Sequence, residues 1–250
     1  MTVAIDIARP RLNAERRFYL TLIAMMIATV LFGFARSVFL RPLFPAFPTP
    51  QEPFFYIHGI LYFGWMALML VQASLISTRN PALHMRLGVI AYALVPAMIA
   101  MGVIGSLIAA RRAGGFVGVP VPPLQFLSVV LGDMVMFGLF TGLALAYRSQ
   151  PQAHKRLIIL AGIVLMDPSI GRWPIDALAQ IPDYSFWLKI VLFLMPLIVW
   201  DIDTLKRLHW ATLLGSVVLI VEGLARGPIG ATPQWLAFAN WATGLLGYRS

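Results

Sequence analysis

Residues 150–174, Gln-Pro-Gln-Ala-His-Lys-Arg-Leu-Ile-Ile-Leu-Ala-Gly-Ile-Val-Leu-Met-Asp-Pro-Ser-Ile-Gly-Arg-Trp-Pro, decide how the chain is read. A polar connector ends in His154-Lys155-Arg156 and an apolar helix follows. Asp167-Pro168 and Arg172 then interrupt that helix before it has crossed a bilayer. A fainter copy occupies residues 80–99, about seventy positions earlier. There Pro81, His84, Arg86, Leu87 and Ala91 match Pro151, His154, Arg156, Leu157 and Ala161. Apolar runs of roughly eighteen or more residues are long enough to span a bilayer, and runs of this kind recur through the chain.

The 250 residues are 60% hydrophobic and 12% charged, with a mean hydropathy of +0.82. A soluble domain carries about a quarter charged residues, so the expected class is all-α: a polytopic transmembrane helix bundle. Spans are expected at 18–35, 55–76, 87–110, 124–147, 157–173, 186–200 and 208–225, seven in all. They are arranged as one helix plus three parallel helical hairpins. This divides the chain into an N-terminal segment 1–17, a bundle 18–225 and a C-terminal segment 226–250. In the last of these, Trp235, Phe238 and Trp241 recur at helical spacing. An interfacial helix over 232–247 suits that stretch better than an eighth span. The first seventeen residues are polar and lead into a retained first span, not a cleaved leader.

Lys/Arg counting places the N-terminus in the cytoplasm. Eleven of the nineteen basic residues fall on its side, Arg86, Lys155 and Arg156 among them. The net charge of +9 therefore reflects helix-end anchors facing the lipid bilayer and its anionic head groups. It does not indicate a nucleic-acid surface, since no basic block with interleaved aromatics is present. With no cysteine in the chain, disulfides, iron–sulfur clusters, thiolate zinc sites and cysteine nucleophiles are excluded.

Two sets of residues could carry chemistry. The first is a lip at the helix entrances made of His84, His154 and His209, with Asp201 close by. Three imidazoles from three helices are a ligand set for a divalent metal, and two of them could ligate haem b. Three helix N-termini together with Arg86, Lys155 and Arg156 also suit an anion or a lipid head group. The same residues serve equally as snorkelling anchors.

The second set lies inside the spans, where ionisable residues cost roughly 2.5–3.5 kcal/mol each and point to function by default. At about 1.5 Å per residue, Asp133, Asp167 and Glu222 sit about 21, 17 and 21 Å from the cytoplasmic ends of their helices, with Arg172 near 24 Å and His58 near 28 Å. All five could share one layer. Three carboxylates opposite one Arg and one His would hold a proton or a bound cation. The competing reading disperses them: Asp133 in a helix contact, Asp167 serving backbone opened by Pro168, and Glu222 paired with Arg226 one turn on. His154 and Asp167 are thirteen residues apart, as are His209 and Glu222. That is about 220° around a helix, so lip and layer cannot form one site; if both matter, they line different surfaces or the helix is kinked between them, as Pro168 allows.

The pattern His58-Gly59, His84-Met85-Arg86-Leu87-Gly88, His154-Lys155-Arg156-Leu157, followed by an acidic and then basic connector leading to His209, covers most of residues 55–215. It resembles a group of uncharacterised bacterial inner-membrane proteins of about seven spans. The resemblance implies a topology and singles out these residues without implying a reaction. Three function classes follow. The favoured one is a membrane protein binding or moving a small ligand or proton through the acidic layer. The others are a b-type haem redox protein using His84 and His154, and a metal-dependent intramembrane hydrolase built on the lip.

Overall fold

The computed structural model describes residues 3–47, 49 and 52–245, with side chains from residue 12 onward except at 176 and 179. It is helical throughout, with no strand among the described residues. The helices are α1 (Val3–Gly33), α2 (Pro53–Ser77), α3 (Pro81–Gly88), α4 (Ala91–Arg111), α5 (Pro123–Ala146), α6 (Pro151–Val164), α7 (Asp167–Ile170), α8 (Asp176–Ala179), α9 (Tyr184–Lys189), α10 (Met195–Leu205), α11 (Trp210–Gly230) and α12 (Pro233–Gly244). A π-helical turn, Ile190–Leu194, joins α9 to α10 into one rod. Pro196 has no N–H to give and crowds the preceding turn, and the wide turn lies directly ahead of it.

Six helical stretches among the described residues are long and apolar enough to cross a membrane: Leu12–Gly33, α2, α4, α5, Tyr184–Leu205 and α11. The protein is an integral, multi-pass membrane protein of the all-α class. Of the seven expected spans, the one over 157–173 differs. Its helix α6 is 14 residues long and stops at Val164, and the chain restarts as the four-residue α7. The interruption falls where Asp167-Pro168 stands. α11 continues past the expected limit at 225 to Gly230, and α12 takes up the stretch read as interfacial. Positions 246 and 247 of that stretch, with 1, 2 and 248–250, lie outside the described residues. So do 48, 50 and 51 of the connector before α2.

Proline sets the helix starts. α2, α3, α5 and α6 each begin on one, where the missing N–H would have been unpaired in any case. Pro53 with Pro123 and Pro81 with Pro151 repeat at the same seventy-residue offset as the histidines, so the faint sequence repeat marks equivalent hairpins. The second half of α6 is enclosed: Ile159 through Val164, and Leu165 and Met166 after it, are buried without exception. It packs against α5 and α11, and Gly215 of α11 lets it approach, since a Cβ there would lie 2.2 Å from Leu160. α1 closes over α7 in the same way. A Cβ on Gly33 would fall 2.0 Å from the Ser169 carbonyl oxygen, so α1 rests on the backbone of the broken span.

Candidate functional site

The break after Val164 places Asp167 in the first turn of α7, buried between α1 and α9. Its Oδ2 accepts from Lys189 Nζ at 2.6 Å and from Arg226 at 2.8 Å. Arg226 also donates to Asp133 Oδ1 at 3.1 Å and stands 4.0 Å from Glu222 Oε2. Four helices, α5, α7, α9 and α11, thus bring three carboxylates and two cations into one buried cluster. Phe186 caps the cations, with its ring centre 5.4 Å from Lys189 Nζ and 5.5 Å from Arg226 Cζ, a cation–π arrangement. Gly223 makes this possible, because a Cβ there would overlap the Phe186 ring at 2.0 Å.

Two oxygens of the cluster, Asp167 Oδ1 and Glu222 Oε1, are buried without a hydrogen-bond partner. Glu222 Oε1 points into the gap left by Gly132, where a Cβ would stand 2.5 Å away. On the far side of Gly132 and Glu222, α4, α5, α11 and α12 border a groove of about 680 Å³. Its walls are apolar, including Val103, Val135, Ile229 and Phe238; Ser128, Glu222 and Arg226 supply its polar atoms. α12 is fixed along it by Trp235, whose indole N–H donates to the Leu124 carbonyl at 2.9 Å, and by Arg111 Nε donating to Thr243 Oγ1 at 2.8 Å.

The structure therefore brings Asp133, Asp167 and Glu222 together and leaves out the two cationic candidates named with them. Arg172 donates to the Pro168 carbonyl at 2.6 Å and lies over the Phe34 ring. His58 stacks on Tyr62 with ring centres 4.2 Å apart, and Tyr62 in turn donates to the Met98 carbonyl. Their places are taken by Lys189 and Arg226. The Glu222–Arg226 spacing was a visible signal for one of them. Lys189 lay inside an expected span and was open to the same cost argument that singled out the acids.

The lip residues divide. Arg156 is 1% exposed and Asp201 0%. Arg156 Nε donates to Asp201 Oδ1 at 2.9 Å, Nη2 donates to the same oxygen, and Nη1 donates to the Gln152 carbonyl at 2.8 Å and to Gln152 Oε1 at 2.6 Å. Asp201 Oδ2 accepts the His209 backbone N–H at 3.0 Å. Lys155 pairs with Glu15 and lies over the Tyr19 ring. Of the three cations considered for an anion, two are already committed to carboxylates, and Arg86 is exposed. His209 is an N-cap: its Nδ1 accepts from the Ala211 N–H at 3.2 Å, and burial lowers its pKa. His84 and His154 lie side by side with ring centres 6.4 Å apart. Among the described residues no group of three or more His, Asp or Glu is placed to hold a metal ion.

Comparison of the chain with protein-family models, with curated proteins and with solved structures returns no match.

Proposed function

We propose that this is a bacterial inner-membrane protein, its N-terminus cytoplasmic, that binds a small ligand or takes up and passes a proton at the Asp133–Asp167–Glu222 layer. One observation carries the reading. Two buried carboxylates, Asp133 and Asp167, and the half-buried Glu222 share two cations, Lys189 and Arg226, and two carboxylate oxygens, Asp167 Oδ1 and Glu222 Oε1, are buried without a partner. A carboxylate that is neither paired nor solvated in a low-dielectric interior is strongly disfavoured. The cluster is completed by one more positive charge, either a proton on a carboxyl or a cation brought by the ligand. The apolar groove ending at Glu222 offers that ligand a route from the lipid.

Infrared difference spectroscopy of the detergent-purified protein tests this directly. The expected result is a C=O stretch from a protonated, buried carboxyl group that disappears in one of Asp133→Asn, Asp167→Asn or Glu222→Gln. In proteoliposomes the same three changes should alter proton flux. If all three variants express normally, show no lost carboxyl band and keep full flux, the layer is structural and the reading fails.

A further inference from the structure

The seventy-residue repeat places one histidine on the first turn of α3 and one on the first turn of α6, and each is turned back toward the helix before it. His84 Nδ1 lies 3.3 Å from the Gln72 carbonyl oxygen of α2, and His154 Nδ1 lies 2.8 Å from the Ala144 carbonyl oxygen of α5. A carbonyl oxygen can only accept, so the hydrogen of each ring belongs on Nδ1. In the neutral ring this leaves the Nε2 lone pair free. Neither Nε2 has a hydrogen-bond partner among the described residues. An imidazole held by Nδ1–H on a backbone carbonyl with Nε2 open is the arrangement that orients metal-ligating histidines.

The surroundings agree. An ion about 2.0–2.1 Å from Nε2 lies about 3.2 Å from the ring centre, so one ion spans two rings whose centres are up to about 6.4 Å apart. The observed separation is 6.4 Å. That value is the outer limit of reach, so tetrahedral ligation requires the rings to close by about an ångström. Positive charge repels a cation, but two of the three basic residues at this end are neutralised, Lys155 by Glu15 and Arg156 by Asp201. Imidazole nitrogen selects late first-row transition metals over magnesium or calcium.

We infer that His84 and His154 form a two-imidazole site for a transition-metal ion, zinc or copper by ligand chemistry, with water or an incoming ligand completing the coordination. The site shares no residue with the acidic layer, so its fate is independent of that reading.

Calorimetric titration of the full-length, chelator-stripped protein in detergent with Zn²⁺ and Cu²⁺ tests the inference. One ion per chain is expected. Binding should be lost in His84→Asn and His154→Asn and kept in His209→Asn. Asparagine is the informative replacement, because its side-chain amide can still donate to the carbonyl while the Nε2 ligand is gone. If either variant fails to fold, X-ray absorption of the metal-loaded wild type decides: two imidazole ligands support the site, and none overturns it. Absence of binding by either ion, or binding unchanged in both folded Asn variants, also overturns it. So does a Soret band in the purified protein that vanishes in His154→Asn, which would make the pair haem ligands.

Discussion

The two buried ion clusters look alike in composition and differ in how completely their valences are filled. Arg156 and Asp201 are one cation and one anion. Every nitrogen of the guanidinium has an acceptor, and the carboxylate takes an additional backbone N–H from His209. The Asp133–Asp167–Glu222 cluster has three anions against two cations and leaves two oxygens unpaired. Burial alone therefore does not distinguish a lock from a site. The first cluster ties α6 to α10 and to the start of α11. The second, joined through a broken helix, has capacity left over.

The sharpest way to break this contrast is Arg156→Met, which strands the Asp201 carboxylate. Breaking a fully buried pair costs about 3–5 kcal/mol, so the melting temperature in detergent should drop severely or the protein should fail to accumulate. The double change Arg156→Met with Asp201→Leu should recover most of the loss, and an unchanged melt in the single variant would remove the lock. Asp167→Asn comes next, since it takes the partner from Lys189 and half the partnership from Arg226. Arg226 keeps Asp133 and the Asn carbonyl can still accept, so the expected loss falls at the low end of that range, about 3 kcal/mol, read by the same melt. Glu222→Gln should change stability by less than about 1 kcal/mol, because its contact with Arg226 is long and partly exposed. Its effect should instead appear in the infrared carboxyl band or in proton flux. A large stability loss there would make Glu222 part of a second lock.

The smallest expected effect concerns pH. Burial lowers the folded-state pKa of His154 from the ordinary value of 6.5, so below that value the unfolded chain binds the proton more readily than the folded one. Stability should be intact above pH 6.5 and decline as pH falls below it toward the folded-state value. His154→Asn should flatten that decline in a pH series of melts. A slope of the opposite sign would mean that the folded state stabilises the imidazolium.

Much of the architecture was legible from residue patterns because the bilayer imposes them. Apolar length reported the spans, prolines marked the helix starts, and Asp167-Pro168 marked the place where the chain breaks. The pairing of charges was not legible. Lys155 meets Glu15 across 140 residues and Arg156 meets Asp201 across 45, and no local spacing reports such encounters. Counting depth along straight helices put Arg172 and His58 in the layer. Depth does not say which way a side chain faces: Arg172 and His58 turn to Phe34 and Tyr62, while Lys189 and Arg226 face the acids. The count of long apolar helices differs from the expected seven at one place: over 157–173 the chain forms the end of a 14-residue helix and a four-residue turn, neither long enough to cross by length alone.

The interrupted fifth segment also constrains how the protein is made. Asp167 leaves the ribosome 22 residues before Lys189 and 59 before Arg226, so both of its cations are still to come. A segment carrying an uncompensated carboxylate and loose backbone is a poor candidate for release into lipid on its own. It should wait beside the insertion machinery until the last two long helices have been synthesised, so truncation before Arg226 should leave the fifth segment unstably inserted even though its own sequence is complete.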